Sequence, residues 1–152
     1  MAQPEQAAVS LILNPTDGSP AALRASDYAI YLAKLTGARL LVLYVVDESR
    51  ARRFGVPVRR EEEELKLQGE AVTKAVVSKA ASEGIDAEAL VVVGQPGVAL
   101  IQVARDQQAS LMVLGFAGFP DLETFLLRTA TVWREVLRDP PCPLLLVPAP
   151  QR

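Results

Sequence analysis

The strongest constraint on the fold is one nearly continuous apolar run, Arg39–Val46, with the sequence RLLVLYVV. A strand buried on both faces has this pattern, which is typical of parallel sheets covered by helices on both sides. Shorter apolar runs predict four further strands, at Ala8–Leu13, Asp86–Val93, Leu111–Leu114 and Leu144–Val147. Helix-like blocks separate these runs, and consecutive parallel strands need such crossovers. The sequence therefore predicts one three-layer α/β/α domain with a five-stranded, mainly parallel, Rossmann-like sheet and about four helices.

The helical blocks carry start and stop signals. Ser19 followed by Pro20 is an N-cap with proline at the first helical position, and Gly37 stands where a left-handed C-cap is favoured. These signals predict a first helix from Pro20 to about Thr36. The other predicted helices are Arg59–Glu83, Pro96 to about Gln108, and Phe125 or later to Arg138. The spacing of side chains predicts that one face of the first helix holds Leu23, Ser26, Ile30 and Ala33. Side chains near helical spacing also mark successive turns of the second helix, at Leu65, Val72, Val76 and Ala80, and of the third, at Val98, Ile101 and Ala104 or Arg105.

Length and composition exclude several classes of protein. A chain of 152 residues has room for one domain, and we expect it to span residues 1–152 with a core at about 8–148. The net charge of -2 provides no field for nucleic acid or an anionic membrane, so neither is an expected partner. With no histidine and one cysteine, Cys142, the chain lacks Ser-His-Asp and Cys-His nucleophiles, imidazole ligands and disulfides. The first residues also lack a basic targeting segment, so a cytoplasmic location is expected.

Two loops that follow strands are candidates for chemistry. Residues 15–19, Pro-Thr-Asp-Gly-Ser, follow the first strand, where Asp17 could bind a ribose hydroxyl and the helix start could offer free N–H groups. Taken alone, this segment is more often a capping turn. Residues 115–118, Gly-Phe-Ala-Gly, follow the fourth strand, where glycines let backbone amides approach a phosphate, although a tight turn has the same composition. The first and fourth strands should be neighbours at the switch point of the sheet, where ligands bind in open α/β folds.

Taken together in order, these blocks resemble one known family. The blocks are PTDGS at 15–19, LYVVD at 43–47, GQP at 94–96, LMVLGFAG at 111–118 and VLRDPPCPLLLVP at 136–148. Their order and spacing resemble the universal stress protein family over about residues 8–148. The resemblance implies a homodimer, paired through the last strand at 144–148, and an adenine-nucleotide site in which an Asp and second-strand backbone hold adenosine.

Carried onto this sequence, the resemblance assigns the adenosine to Asp17 and Val45 and the phosphates to a loop with Gly115 and Gly118. The family signature, Gly-x2-Gly-x9-Gly-Ser/Thr, lacks its third glycine here. Counting nine residues from Gly118 puts Arg128-Thr129 in that place; anchoring on residues 136–143 puts Ala130-Thr131 there, which we prefer. The candidate nucleotide contacts are Pro15, Thr16, Asp17, Val45, Leu114, Gly115, Gly118, Ala130, Thr131 and Val132.

The resemblance thus implies a cytoplasmic stress-response module, not an enzyme, with at most slow ATP hydrolysis. Its ligand would be ATP, ADP or AMP, with Mg²⁺ only alongside ATP. The missing glycine and the acidic residues Asp121 and Glu123 favour an alternative, a dimeric interaction protein that has lost the nucleotide. The arginine-rich loop 48–60 is either a solvated charge run, which its composition favours, or a surface for a protein partner. Cys142 is expected to be a small buried hydrophobe.

Overall fold

The computed structural model describes residues 8–48, 58–116 and 135–150. All five predicted strands are present. The elements are β1 (Leu11–Pro15), α1 (Pro20–Thr36), β2 (Arg39–Asp47), α2 (Val58–Ser82), β3 (Ala87–Gly94), α3 (Pro96–Asp106), β4 (Leu111–Phe116), a helical segment α4 at residues 135–138, and β5 (Leu144–Pro148). The strands form one sheet in the order β3-β2-β1-β4-β5, and every pairing between them is parallel.

Helices cover the sheet on both faces, so the predicted α/β/α layering is confirmed. On one face, α1 and α2 pack through Ala25, Ile30 and Val76 onto strand residues such as Val42 and Val113. On the other face, α3 and α4 pack through Leu100 and Val136 onto Leu43 and Met112. Residues 40–44 and Val46 in β2 are buried, as expected for a central strand between two helical layers.

The predicted caps of the first helix are also confirmed. The Ser19 hydroxyl accepts a hydrogen bond of 3.3 Å from the Ala22 amide. Gly37 has φ of 75°, which favours glycine, and donates its N–H to the Ala33 carbonyl at 2.9 Å. The part of the predicted last helix before residue 135 lies outside the described residues.

Two apolar side chains that the helical spacing grouped with their neighbours lie at the surface. Leu23 is 47% exposed, because the buried stripe of α1 is built mainly from alanines and Leu23 lies about 110° around the axis from its middle. Val98 is 50% exposed because α3 buries Leu100 and Ala104 on another side. In α1, the close approach of the helix to the sheet selected the small alanines rather than the larger Leu23.

Another correction concerns the start of the chain's first turn. Asn14 and Pro15 were expected to belong to the turn, but they are the last two residues of β1, and both are buried. Strand β1 also begins at Leu11 rather than Ala8. The shift matters for function because β1 extends two residues further than predicted, so that Asp17 lies only two residues after the strand.

Candidate functional site

The site lies where the sheet reverses its order, as the sequence predicted. β1 pairs with β2 on one side and with β4 on the other. Its register with β2 runs to Pro15–Leu43, while its register with β4 covers only Ile12–Leu111 and Leu13–Met112. β2 and β4 both continue further, to Asp47 and Phe116. A crevice therefore opens at the carboxyl ends of the strands, the position at which open α/β sheets bind ligands.

The crevice begins where a proline interrupts the hydrogen bonding. Continued by one step, the β1–β4 register would bring the N–H of residue 15 to the Val113 carbonyl, but Pro15 has no N–H. The Asn14 side chain supplies the missing donor, with Nδ2 at 3.0 Å from the Val113 oxygen. Its Oδ1 accepts a hydrogen bond of 2.7 Å from the Ser26 hydroxyl on α1. Sequence reasoning missed Asn14, although an Asn-Pro pair ending an apolar run was a usable signal.

The loop after β1 is held by its own side chains. The Thr16 amide donates to the Leu43 carbonyl at 2.8 Å, and the Gly18 amide donates to Thr16 Oγ1 at 3.2 Å. The Ser19 amide donates to Asp17 Oδ1 at 2.9 Å. The amides of Thr16, Gly18, Ser19 and Ala22 are therefore occupied, which reduces the number of N–H groups that the helix start could offer to a ligand. Asp17 thus stabilises the turn before α1, whereas the cap itself is Ser19, and the second oxygen of Asp17, Oδ2, stays outside these loop hydrogen bonds.

The backbone of Val45 faces the crevice. The Leu43 carbonyl makes the last hydrogen bond between β2 and the β1 chain, to Thr16. Alternate residues of a strand present their N–H and C=O groups to the same side. The backbone N–H and C=O of Val45 therefore point to the same side as the Leu43 carbonyl, but beyond the end of β1. The backbone groups of Val45 therefore border the crevice, and its adenosine contact stays a prediction.

Gly115 has a structural reason to be glycine. A Cβ built at this position would stand 2.6 Å from both the Ala21 carbonyl carbon and the Ala22 nitrogen. No real Cβ tolerates such a contact with backbone, so the end of β4 approaches the first turn of α1 only because residue 115 has no side chain. The glycine predicted for a phosphate loop is thus also required by packing.

A cavity of about 320 Å³ joins these features. It lies near the lower limit of the usual range for small-molecule sites, about 300–1,000 Å³. Apolar walls come from Leu65 on α2 and from Pro96 and Leu100 on α3, none of which was predicted as a contact. Six of the predicted site residues line the cavity: Pro15, Thr16, Asp17, Val45, Leu114 and Gly115. The other four, Gly118, Ala130, Thr131 and Val132, and the alternative pair Arg128-Thr129, lie outside the described residues.

The charges that line the cavity are acidic. Asp17 and Asp47 contribute carboxylates, and no lysine or arginine is among the described lining residues. Within residues 8–48, 58–116 and 135–150, no three acidic or cysteine side chains are grouped so that they could hold a metal ion. The described lining therefore suits the base and sugar of a nucleotide better than its phosphates.

Of the arginine-rich loop, only Glu48 and residues 58–60 are described. The exposed Arg60 side chain lies 4.0 Å from Glu64 on the same helix, which accords with a solvated charge run. In the described part of the chain, no helix combines the length and the apolar character needed to cross a membrane.

A doubly wound parallel sheet with a ligand-sized cavity at its switch point defines an α/β small-molecule-binding domain. The sequence pattern of the universal stress protein family matches residues 10–148, and the chain belongs to that family. A universal stress protein of Methanocaldococcus jannaschii is 32% identical over 145 residues, which cover 93% of this chain and 83% of that protein.

Solved structures agree with this assignment. A universal stress protein family structure from Burkholderia pseudomallei is 29% identical with a TM-score of 0.75, over 93% of this chain and 97% of that one. A universal stress protein solved in complex with cAMP is 26% identical with a TM-score of 0.72, over 94% of this chain and 99% of that one. The family and the fold predicted from the sequence are both confirmed.

Proposed function

We propose that this chain is a stress-response module that binds an adenine nucleotide in the cavity between β1, β2 and β4, and that it acts by regulation rather than fast catalysis. One observation carries the proposal: the Asp17 carboxylate and the outward backbone edge of Val45 line the same 320 Å³ cavity. These are the two residues to which the family resemblance assigns the adenosine.

The chemistry of the cavity fits a nucleoside. Adenine offers an acceptor at N1 and donor hydrogens at N6, which match the N–H and C=O of one strand residue such as Val45. Ribose hydroxyls can donate to Asp17 Oδ2, because only Oδ1 is used by the Ser19 amide. The apolar walls at Leu65 and Leu100 suit the faces of the base. The cAMP bound by the 26% identical relative is a ligand of the same chemical class.

The phosphates would extend from this cavity past Gly115, toward the segment that includes Gly118, Ala130 and Thr131. The described lining of the cavity contains no lysine or arginine to pair with the phosphates. In the loop after β1, the amides of Gly18, Ser19 and Ala22 already donate to side chains of the protein. ATP, ADP and AMP therefore share the nucleoside contacts, and Mg²⁺ would enter only with ATP. The proposal includes no hydrolytic step, because the Asp17 carboxylate is assigned to the loop and the ribose.

The test is to identify what the purified protein carries. The protein is denatured, released nucleotide is identified by chromatography, and the nucleotide-free protein is titrated calorimetrically with adenosine, AMP and Mg-ATP. Nucleotide near one equivalent per chain, or saturable binding heat, is the expected result. A protein that releases no nucleotide and shows no binding heat at millimolar adenosine, AMP and Mg-ATP would refute the proposal.

A second candidate role is a dimeric interaction module, which does not depend on the nucleotide. β5 is an end strand of the sheet, paired with β4, and its Leu146 side chain is 39% exposed. An edge strand with an exposed apolar side chain is suited to pair with a second copy. We therefore also propose a homodimer formed through β5, as the resemblance implied for residues 144–148.

A further inference from the structure

We propose that Gly69 on α2 and Tyr44 on β2 together set the width of the nucleotide cavity, so that Gly69 is a positioning residue for the ligand. This inference rests on the proposed function. Gly69 belongs to no motif in the sequence and lies 25 positions from Tyr44 along the chain. Its role comes only from the packing of α2 on the sheet.

The contact between the two residues leaves no room for a side chain on the helix. A Cβ built at Gly69 would stand 2.5 Å from Cδ1, 2.9 Å from Cγ and 3.1 Å from Cε1 of the Tyr44 ring. Carbon atoms pack best at about 3.5–4.0 Å. A methyl group at position 69 therefore requires the ring to move by about 1 Å.

Other contacts of α2 oppose a shift of the whole helix. One turn further along α2, Val72 lies under Gly18 of the Asp17 loop, where a Cβ at Gly18 would stand 3.2 Å from Val72 Cγ2. Val76, on the same face of α2, is buried in the core between helix and sheet. These contacts hold α2 against the loop and the strands, so a clash at Gly69 is relieved mainly by rotation of the Tyr44 side chain.

The Tyr44 side chain has the cavity beside it. Tyr44 is 8% exposed and lines the cavity together with Leu65, which lies one turn before Gly69 on the same face of α2. A ring displaced from α2 thus moves toward the space assigned to the nucleoside. A glycine in the middle of a 25-residue helix normally weakens it, and here the missing side chain keeps the ring back.

The test compares Gly69→Ala with the wild type by calorimetric titration with adenosine and AMP, and by thermal unfolding. We expect Gly69→Ala to bind adenosine and AMP about tenfold more weakly than the wild type, because the displaced Tyr44 ring narrows the cavity. Gln68→Ala, an exposed neighbour on α2, is the control and should bind as the wild type does. In a Tyr44→Val background, Gly69→Ala should leave affinity unchanged and raise the Tm, since alanine then acts only through its helix propensity.

The outcomes separate the two proposals. A wild type that binds adenosine, with an equal affinity in Gly69→Ala, overturns the role of Gly69 alone. A tenfold loss that persists in the Tyr44→Val background also overturns it, because the effect would not pass through the ring. A wild type that binds no nucleotide refutes the proposed function and this role with it. If Gly69→Ala does not fold, the Tyr44→Val variant is used for the test. Its enlarged cavity should bind adenosine about tenfold more weakly than the wild type. An unchanged affinity would contradict the proposal.

Discussion

The Asn14 side-chain amide lies 3.0 Å from the Val113 carbonyl oxygen and takes the place of a backbone donor that Pro15 does not have. Asn14 is fully buried, and the Ser26 hydroxyl satisfies its other end at 2.7 Å. A single side chain thus joins β1, β4 and α1 at the point where the crevice opens. The crevice is a defined break in the sheet rather than a frayed end.

Removing this amide should destabilise the fold. Asn14→Ala leaves the Val113 carbonyl without its donor in a buried position, so the free energy of unfolding should fall by about 1–3 kcal/mol. In a Pro15→Ala background, the new N–H at position 15 can reach the same carbonyl, and the cost of Asn14→Ala should be smaller. Urea denaturation of the four proteins measures the difference. Equal costs in both backgrounds would show that Asn14 does not replace the proline N–H.

Substitutions of Asp17 should separate its charge from its hydrogen bond within the turn. Asp17→Asn keeps an oxygen for the Ser19 amide, whereas Asp17→Ala removes it at a cost of about 1 kcal/mol in stability. Both should weaken adenosine binding about tenfold or more without unfolding the protein, because Asp17 is exposed. Calorimetry checks the affinity, with the exposed Asp86→Ala as control. Wild-type affinity in Asp17→Ala would refute the assignment.

Gly115→Ala should damage the fold even without ligand. Its Cβ would meet the backbone of α1 at 2.6 Å, and such overpacking costs about 1–3 kcal/mol or more. Gly94→Ala is the matched control, since Gly94 is the last residue of β3, as Gly115 is the next-to-last of β4, but its Cβ would lie 3.8 Å from the nearest atom, Ala99 Cβ. Thermal unfolding of the nucleotide-free proteins makes the comparison. A Gly115→Ala protein with the wild-type Tm would contradict the packing role.

The proposed dimer depends on the β5 edge. Leu146→Arg should shift the protein to monomers, because pairing of two β5 edges would remove water from the new guanidinium group at a cost in free energy. Leu146 suits this test better than Leu145, which packs against the core and would destabilise the fold itself. Leu67→Arg, at an exposed site on α2, is the control. Light scattering reports the mass, and a Leu146→Arg protein that remains dimeric would refute pairing through β5.

Cys142 should react slowly in the folded protein. Burial raises the pKa of the Cys142 thiol above its ordinary value, which lowers the fraction of reactive thiolate at pH 8. Alkylation by iodoacetamide at pH 8 should therefore be slower in buffer than in urea, and the difference should narrow as the pH rises through the folded-state pKa. Mass spectrometry follows the reaction. Equal rates in buffer and urea would contradict protection of this partly buried thiol by the fold.

Much of the fold could be read from local pattern. The apolar run of β2 indicated a strand covered on both faces, and the Ser19-Pro20 and Gly37 signals located both ends of α1. Asp17 and Gly115 were placed at one site because parallel strands end at the same edge of a sheet. Each of these inferences needs only residues that are near one another in the chain, or the general rule for parallel strands.

The tertiary structure alone decided the features that depend on distant partners. Asn14 belongs to β1 because its side chain binds the Val113 carbonyl, which is 99 positions away in the chain. The buried face of α1 is set by how closely its alanines approach the sheet. The close contacts of Gly115 with the α1 backbone and of Gly69 with the Tyr44 ring join segments that are far apart in the sequence. The sequence by itself therefore determined the elements, their parallel order and the family. Packing between remote segments determined where β1 ends, which helix faces are buried and how wide the cavity is, because those depend on distances that only the folded chain defines.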